Sequence, residues 1–127
     1  MGDRILFQVV TSGGDAVGPV VYCHWSGDKA PEIVRALASR MADRPGDVAY
    51  ATARLVQECI AVGDVDGATR FGVWNATFED GLFCRLTAED THGDAGVVLI
   101  DCADGFRCEC LGGYLRTGPD GFPEARP

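Results

Sequence analysis

The side chains with the most chemical potential lie in one short segment. Cys23, His24 and Trp25 follow one another at the end of an apolar, strand-like run that extends from Val20 to Gly27. A thiol beside an imidazole suggests nucleophilic chemistry, in which the base takes the proton of the nucleophile. Neighbouring residues of a strand point to opposite faces, however, so the thiol and the imidazole are expected to lie apart. No third group completes a catalytic set, and we assign no catalytic residue.

Tyr22, His24 and Trp25 have two interpretations. In the structural one, Trp25 covers the gap between a sheet and the helix that follows, and His24 binds a loop carbonyl. In the functional one, part of this corner is exposed, and Tyr and Trp are then among the residues that most often anchor a protein interface. We treat the three residues as a candidate recognition corner.

The six cysteines stand at positions 23, 59, 84, 102, 108 and 110. Cys108 and Cys110 lie two apart on a predicted strand and point to one face. Together with Cys102, Cys23 and His24 they could bind a metal ion, and Cys102 could form a disulfide bond with Cys108 or Cys110. They lack the two- to four-residue spacing typical of zinc knuckles. Reduced thiols packed as small apolar groups are the simpler interpretation. We therefore assign no metal site and no cofactor, and the metal and disulfide alternatives stay open.

A second group of metal-binding side chains occurs in the segment from Asp90 to Asp94. Its two carboxylates and His92 lie within five residues, and oxygen and nitrogen ligands of this kind can hold a divalent ion. The segment lacks the length and carbonyl pattern of a calcium loop. A solvated turn is the expected structure.

The elements that position these residues predict an α+β fold. β-branched and aromatic residues predict strands at 5–10 and 17–25. Apolar residues then recur at helical spacing in two segments, which we expect Asp28 and Asp47 to cap. The later strands are predicted at 71–78, 82–86, 96–100 and 106–111. The order ββ-αα-ββββ predicts an antiparallel sheet of about five to six strands with two helices packed on one face.

The chain has 127 residues, which is enough for one domain with its own core. We expect residues 1–116 to form that single domain. Residues 117–127 contain three prolines and two glycines, and we expect them to be a mobile C-terminal tail.

The net charge of −8 is unevenly distributed. Residues 1–60 hold seven acidic and six basic residues, whereas residues 61–127 hold twelve acidic and five basic ones. Such a surface repels nucleic acids and anionic membranes, which argues against direct binding to either. No apolar stretch approaches the 18 residues of a membrane span, and the N-terminus lacks the basic start of a signal peptide. We expect a cytoplasmic protein.

The acidic half also supplies candidate partner-binding residues. They are Glu79, Asp80, Glu89, Asp90 and Asp94. Their charge is either a solvated face or a surface that imitates nucleic acid and occupies a basic groove of another protein.

Three short motifs resemble a known family. They are Tyr22-Cys23-His24-Trp25-Ser26-Gly27, Ala53-Arg54-Leu55-Val56-Gln57 and Gly93-Asp94-Ala95-Gly96-Val97-Val98-Leu99-Ile100. They are similar to the Tyr-x-His-Trp-x-Gly box, a helix and a strand of small proteins from bacteriophages and mobile elements. The resemblance spans residues 17–101 and departs at Ser26, where the family tends to have Asn, and at Val98, where it has Tyr. That family has no established function, so the resemblance implies a bacterial host cytoplasm and no site residues.

These observations favour a binding protein over an enzyme. We expect a non-enzymatic accessory protein that binds a host protein, as an anti-defence, anti-CRISPR-like inhibitor whose acidic surface occupies a basic nucleic-acid-binding site. The alternatives are a small ligand- or metal-binding module at the Cys-His-Trp corner and a small enzyme that uses Cys23 or His24. A homodimer is compatible with each, because an open sheet has edges that can pair.

Overall fold

Seven strands and two α-helices make up the described part of the chain. A computed structural model describes residues 3–11, 16–63, 71–77, 81, 84–103 and 106–125. In chain order the elements are β1 (Ile5–Val10), β2 (Val17–Cys23), α1 (Ala30–Arg40), α2 (Val48–Gly63), β3 (Phe71–Trp74), β4 (Gly96–Asp101), β5 (Arg107–Leu111), β6 (Leu115–Thr117) and β7 (Pro123–Ala125). The predicted α+β class is confirmed. Within the described ranges, neither helix is long and apolar enough to cross a lipid bilayer.

The main sheet is mixed rather than antiparallel. Its strands lie in the order β3-β2-β1-β4-β5, and β6 pairs with β7 in a separate two-stranded sheet. Strands β1 and β4 are parallel, with Ile5 opposite Gly96 and Val10 opposite Asp101. The predicted purely antiparallel sheet is therefore wrong at its centre. A parallel pair needs a long crossover, and here β2, both helices and β3 all lie in the chain between β1 and β4.

The strand predicted at 82–86 is not formed where the structure describes it. Its first two residues lie outside the described ranges, and the other three are not in a strand. Instead, the buried side chain of Gln8 binds this segment: Gln8 Nε2 donates to the Cys84 carbonyl (2.9 Å), and the Leu86 N–H donates to Gln8 Oε1 (2.8 Å). Leu86 packs in a small cluster with Leu6. The segment thus covers part of the sheet face opposite the helices.

The larger core lies between the sheet and the two helices. Its biggest fully buried side chains are Phe7, Ile5, Ile33, Leu37, Leu55 and Ile100. Burial of one such side chain stabilises the folded state by roughly 1.5–3 kcal/mol. More apolar side chains are buried on this face of the sheet than in the small cluster on the opposite face.

One of the two predicted helix caps is confirmed. Asp47 Oδ1 accepts the N–H of Tyr50 (3.0 Å) at the start of α2. Asp28 does not cap α1, because a 3-10 turn over Gly27–Lys29 precedes that helix and Lys29 takes the N-cap position without a side-chain bond. The Asp28 N–H instead donates to the carboxylate of Asp3 (2.8 Å).

The C-terminal segment forms a hairpin against α1. Arg35 on α1 pairs with Asp120 (2.6 Å), and its guanidinium lies 4.5 Å from the centre of the Phe122 ring. That ring stacks on Phe106 at 5.8 Å. The boundary predicted at residue 116 therefore falls inside β6, and the chain up to residue 125 belongs to the packed structure.

Candidate functional site

The predicted recognition corner forms where β2 ends. The Tyr22 hydroxyl and His24 Nδ1 are hydrogen-bonded at 2.5 Å. Among the contacts of the described residues His24 thus binds a side chain, where one interpretation expected a loop carbonyl. Trp25 lies edge-to-face with His24 at 4.8 Å between ring centres and is 43% exposed. Cys23 is fully buried in the helix-side core. The thiol is thus separated from the imidazole that follows it in sequence.

Asp3 holds this corner in place. Its N–H donates to the His24 carbonyl (2.8 Å), its carbonyl accepts the Gly27 N–H (2.9 Å), and its carboxylate accepts the Asp28 N–H (2.8 Å). The Tyr114 hydroxyl donates to the same carboxylate (2.7 Å). Burial, together with this bond to an anion, raises the pKa of Tyr114, so the hydroxyl stays a donor. The hydrogen bonds of Asp3 therefore fix the backbone at His24 and again at Gly27 and Asp28.

Gly27 is required here by space. A Cβ at this position would lie 2.5 Å from Asp3 Oδ1 and 2.6 Å from the Ala95 side chain. The glycine of the His-Trp-x-Gly motif thus permits the close approach of three segments.

Two aromatic side chains that the sequence did not link to the corner complete it. Trp74, the last residue of β3, lies 6.0 Å from Tyr22 between ring centres, and His92 lies 5.4 Å from Tyr22. We call Tyr22, His24, Trp25, Trp74 and His92 the aromatic cluster. Register could have indicated Trp74, because β3 pairs beside β2 with Trp74 opposite Val20. No local signal indicates His92.

The structure places two of the predicted acidic residues beside this cluster. Asp94 accepts bonds from the Arg4 backbone N–H (3.1 Å) and from Arg4 Nε (2.9 Å). The Arg4 side chain and backbone bonds hold the pKa of Asp94 below its usual range, with a smaller contribution from nearby His24. The carboxylate therefore stays ionised next to the imidazole.

Asp90 has a local structural role in addition to its charge. Its Oδ2 accepts the N–H of Thr87 (2.6 Å) and the Thr87 hydroxyl (3.2 Å). Thr87 Oγ1 in turn accepts the N–H of Glu89 (3.3 Å), which completes a capping box on the short 3-10 turn Ala88–Asp90. Oδ1 takes no part in that box. Glu89 is exposed on the same turn, whereas Glu79 and Asp80 lie outside the described residues.

A groove of about 320 Å³ opens between Trp74 and the segment that Gln8 fastens to the sheet. Its lining residues are Leu6, Trp74, Ala76, Thr77, Cys84, Leu86, Asp90 and His92. Cys84 and His92 thus share one groove, but no hydrogen bond joins them among the described contacts. The groove extends the aromatic cluster into a concave surface.

The cysteines of the described chain are all free thiols, so the disulfide alternative for Cys102, Cys108 and Cys110 is not realised. Burial raises the pKa of each of these three thiols. Cys59 hydrogen-bonds to Cys23, and that contact together with burial raises the Cys59 pKa. In the part of the chain that the structure covers, no three His, Cys, Asp or Glu residues are placed to hold a metal ion.

Strand β3 leaves a hydrophobic edge next to the cluster. Phe71, Val73 and Trp74 are 37%, 54% and 43% exposed, and β3 ends the sheet order. Among the strands that the structure describes β3 is thus an edge strand, and such edges can add a strand from another chain. A homodimer through β3 stays a prediction. Trp74 belongs both to this edge and to the aromatic cluster, so a dimer formed there would compete with any partner that binds the aromatic cluster.

The arrangement favours recognition of a cation. Exposed tryptophan faces attract guanidinium and ammonium groups, and adjacent carboxylates pair with them. No family model, curated protein or solved structure matches this chain.

Proposed function

We propose that this protein acts by binding another protein through the aromatic cluster and the acidic residues beside it. Its partner is a host protein with a basic surface, such as the nucleic-acid-binding site of a defence complex, which the bound protein blocks. This is the non-enzymatic, anti-defence function expected from the sequence. The observation that supports it best is the convergence of two exposed tryptophans with Asp90 and Asp94 on one surface.

The aromatic side chains suit an interface anchor. Tryptophan and tyrosine are enriched among the residues that dominate binding energy, because they bury a large area with few rotatable bonds. Trp25 and Trp74 are each 43% exposed, so more than half of each side chain is already packed. An anchor that is held in place in the free protein loses little conformational entropy on binding.

The charge distribution suits a basic partner. The net charge of −8 accelerates encounter with a positive surface and disfavours acidic competitors. The carboxylate of Asp94 is held in position by its ion pair with Arg4, and a cation of the partner would share that carboxylate with Arg4. The resemblance to phage and mobile-element proteins supplies a context in which a bacterial basic protein would be the target.

Affinity capture from a host lysate tests this proposal. The immobilised protein is expected to retain a basic nucleic-acid-binding protein at low salt and to release it as NaCl screens the charges. Trp25→Ala should weaken that complex by about 30-fold, which corresponds to about 2 kcal/mol for an anchoring residue. Ile60→Ala is the matched control. Ile60 is also an exposed apolar residue (52%), but it lies on α2 and does not belong to the aromatic cluster.

A second experiment measures how much the acidic residues contribute to binding. A variant in which Glu79, Asp80, Glu89 and Asp90 are made neutral should bind the same partner more weakly and with a smaller salt dependence. The recovered partner should lose its nucleic acid binding when the wild-type protein is added. Recovery of no basic partner, or unchanged affinity in the neutral variant, contradicts the proposal.

A further inference from the structure

The groove beside Trp74 combines an apolar floor with a polar rim. Leu6 and Leu86 form the floor and are almost fully buried. Trp74, His92 and Asp90 stand at the rim. A volume of about 320 Å³ lies at the lower end of the roughly 300–1,000 Å³ typical of ligand pockets, so the groove suits one long side chain.

The rim carries groups that attract a planar cation. Trp74 is 43% exposed, and its ring packs against Tyr22 at 6.0 Å between ring centres, so part of this aromatic residue is open to solvent. Guanidinium groups bind such faces by cation–π attraction and stacking. The His92 imidazole can accept a hydrogen bond from an N–H donor when it is neutral.

The described residues that line the groove include one carboxylate and no Lys or Arg. The carboxylate belongs to Asp90. The capping box with Thr87 fixes the Asp90 side chain through Oδ2, so Oδ1 can pair with a cation without losing that contact. A positively charged occupant is therefore favoured over an anionic one.

We infer that this groove binds an arginine side chain of the partner, with its guanidinium stacked on Trp74 and paired with Asp90. The inference rests on the proposed function, since it names the residue type by which the basic partner is anchored. The apolar floor takes the methylene stem, as long cationic side chains pack along apolar surfaces. Lysine fits less well because its ammonium is a strongly hydrated point charge that cannot stack.

The test uses small probes and no partner protein. The chain has two tryptophans, so a ¹H–¹⁵N spectrum shows two indole signals, which Trp25→Phe and Trp74→Phe assign. The full-length protein is titrated with N-acetyl-arginine methylamide and with the matching lysine and citrulline derivatives. Citrulline has the shape of arginine without its charge.

We expect arginine to shift the Trp74 indole signal in a saturable manner, with a Kd of about 1–10 mM, which is ordinary for a single side chain. Citrulline and lysine should bind at least about fivefold more weakly. Asp90→Asn should weaken arginine binding to a similar extent, while retained protection of the Thr87 amide from hydrogen exchange shows that the cap is intact. The Trp25 signal, from an equally exposed indole outside the groove, is the internal control.

Three results overturn the inference: equal responses to arginine and citrulline, lysine binding as tight as arginine binding, or no saturable shift of the Trp74 signal. These outcomes leave the proposed function intact if capture of a basic partner still depends on Trp25. Conversely, saturable arginine binding without any captured basic partner supports the groove and contradicts the proposed function.

Discussion

Gln8 offers the sharpest test of how the groove is built. This side chain is fully buried in β1, and its amide makes three hydrogen bonds: to the carbonyls of Gly18 (3.1 Å) and Cys84 (2.9 Å), and from the N–H of Leu86 (2.8 Å). Replacement Gln8→Leu roughly keeps the volume and removes all three. The backbone groups of the 84–86 segment lose a partner that no strand ladder replaces.

The segment 84–86 can respond to Gln8→Leu in two ways, and each has its own cost in the free energy of unfolding. If the segment stays in place, the unpaired groups of Cys84 and Leu86 cost about 1–3 kcal/mol each. If the segment detaches and water satisfies those groups, the main loss is the burial of Leu86, about 1.5–3 kcal/mol. The cheaper route sets the outcome, so we expect a loss of about 1.5–3 kcal/mol in the free energy of unfolding, together with opening of the groove.

Urea unfolding and amide hydrogen exchange measure both consequences. Gln8→Leu should lower the unfolding midpoint, and the Leu86 amide should lose its protection while the β1–β4 pairing keeps its own. Thr52→Val is the control, because the Thr52 hydroxyl donates only to Val48 in its own helix (2.8 Å), and its loss should cost about 1 kcal/mol or less. A Gln8→Leu protein within about 0.5 kcal/mol of wild type, with a protected Leu86 amide, would refute this account of the groove.

Three further predictions concern the corner, the thiols and the hairpin. Gly27→Ala should destabilise the protein by about 1–3 kcal/mol in thermal unfolding, because the new methyl group meets the Asp3 carboxylate at 2.5 Å; wild-type stability would contradict that contact. Ellman's reagent should label half-buried Cys84 before Cys59, whose pKa is raised by its thiol hydrogen bond and by burial; mass spectrometry gives the order, and equal rates would count against it. The pKa of Asp120 is lowered by its guanidinium partner, so its stabilisation is present at neutral pH and is lost as pH falls through that lowered value. Asp120→Asn should therefore be less stable than wild type at pH 7, with a deficit that shrinks as the pH is lowered through the acidic range, and a deficit that does not change with pH would contradict the ion pair.

The local sequence pattern was sufficient to predict the two helices and most of the strands. The apolar spacing that places Ile33 and Leu37 on one face of α1, and Leu55 on the apolar face of α2, matches their burial in the core, because the helical period depends only on neighbouring residues. The Asp47 cap was predictable for the same reason. The Asp28 cap was not, since a 3-10 turn over Gly27–Lys29 moves the start of α1 to Ala30 and puts Lys29 at the N-cap.

The candidate site was predictable only in pieces. Tyr22, His24 and Trp25 stood out by residue type, and Asp90 and Asp94 by charge. Nothing local indicates that Trp74 and His92 contact Tyr22, because one arrives through strand register and the other through a segment tied to the sheet by Gln8.

The sequence by itself determined the α+β class, the two amphipathic helices and the acidic character of the second half. These properties follow from short-range periodicity and from composition, which need no knowledge of long-range contacts. Only the tertiary structure decided that β1 pairs in parallel with β4 and that the tail folds back on α1. Only it decided that five aromatic side chains meet beside two carboxylates, because such contacts join residues up to about 70 positions apart, whose pairing energy depends on the whole fold.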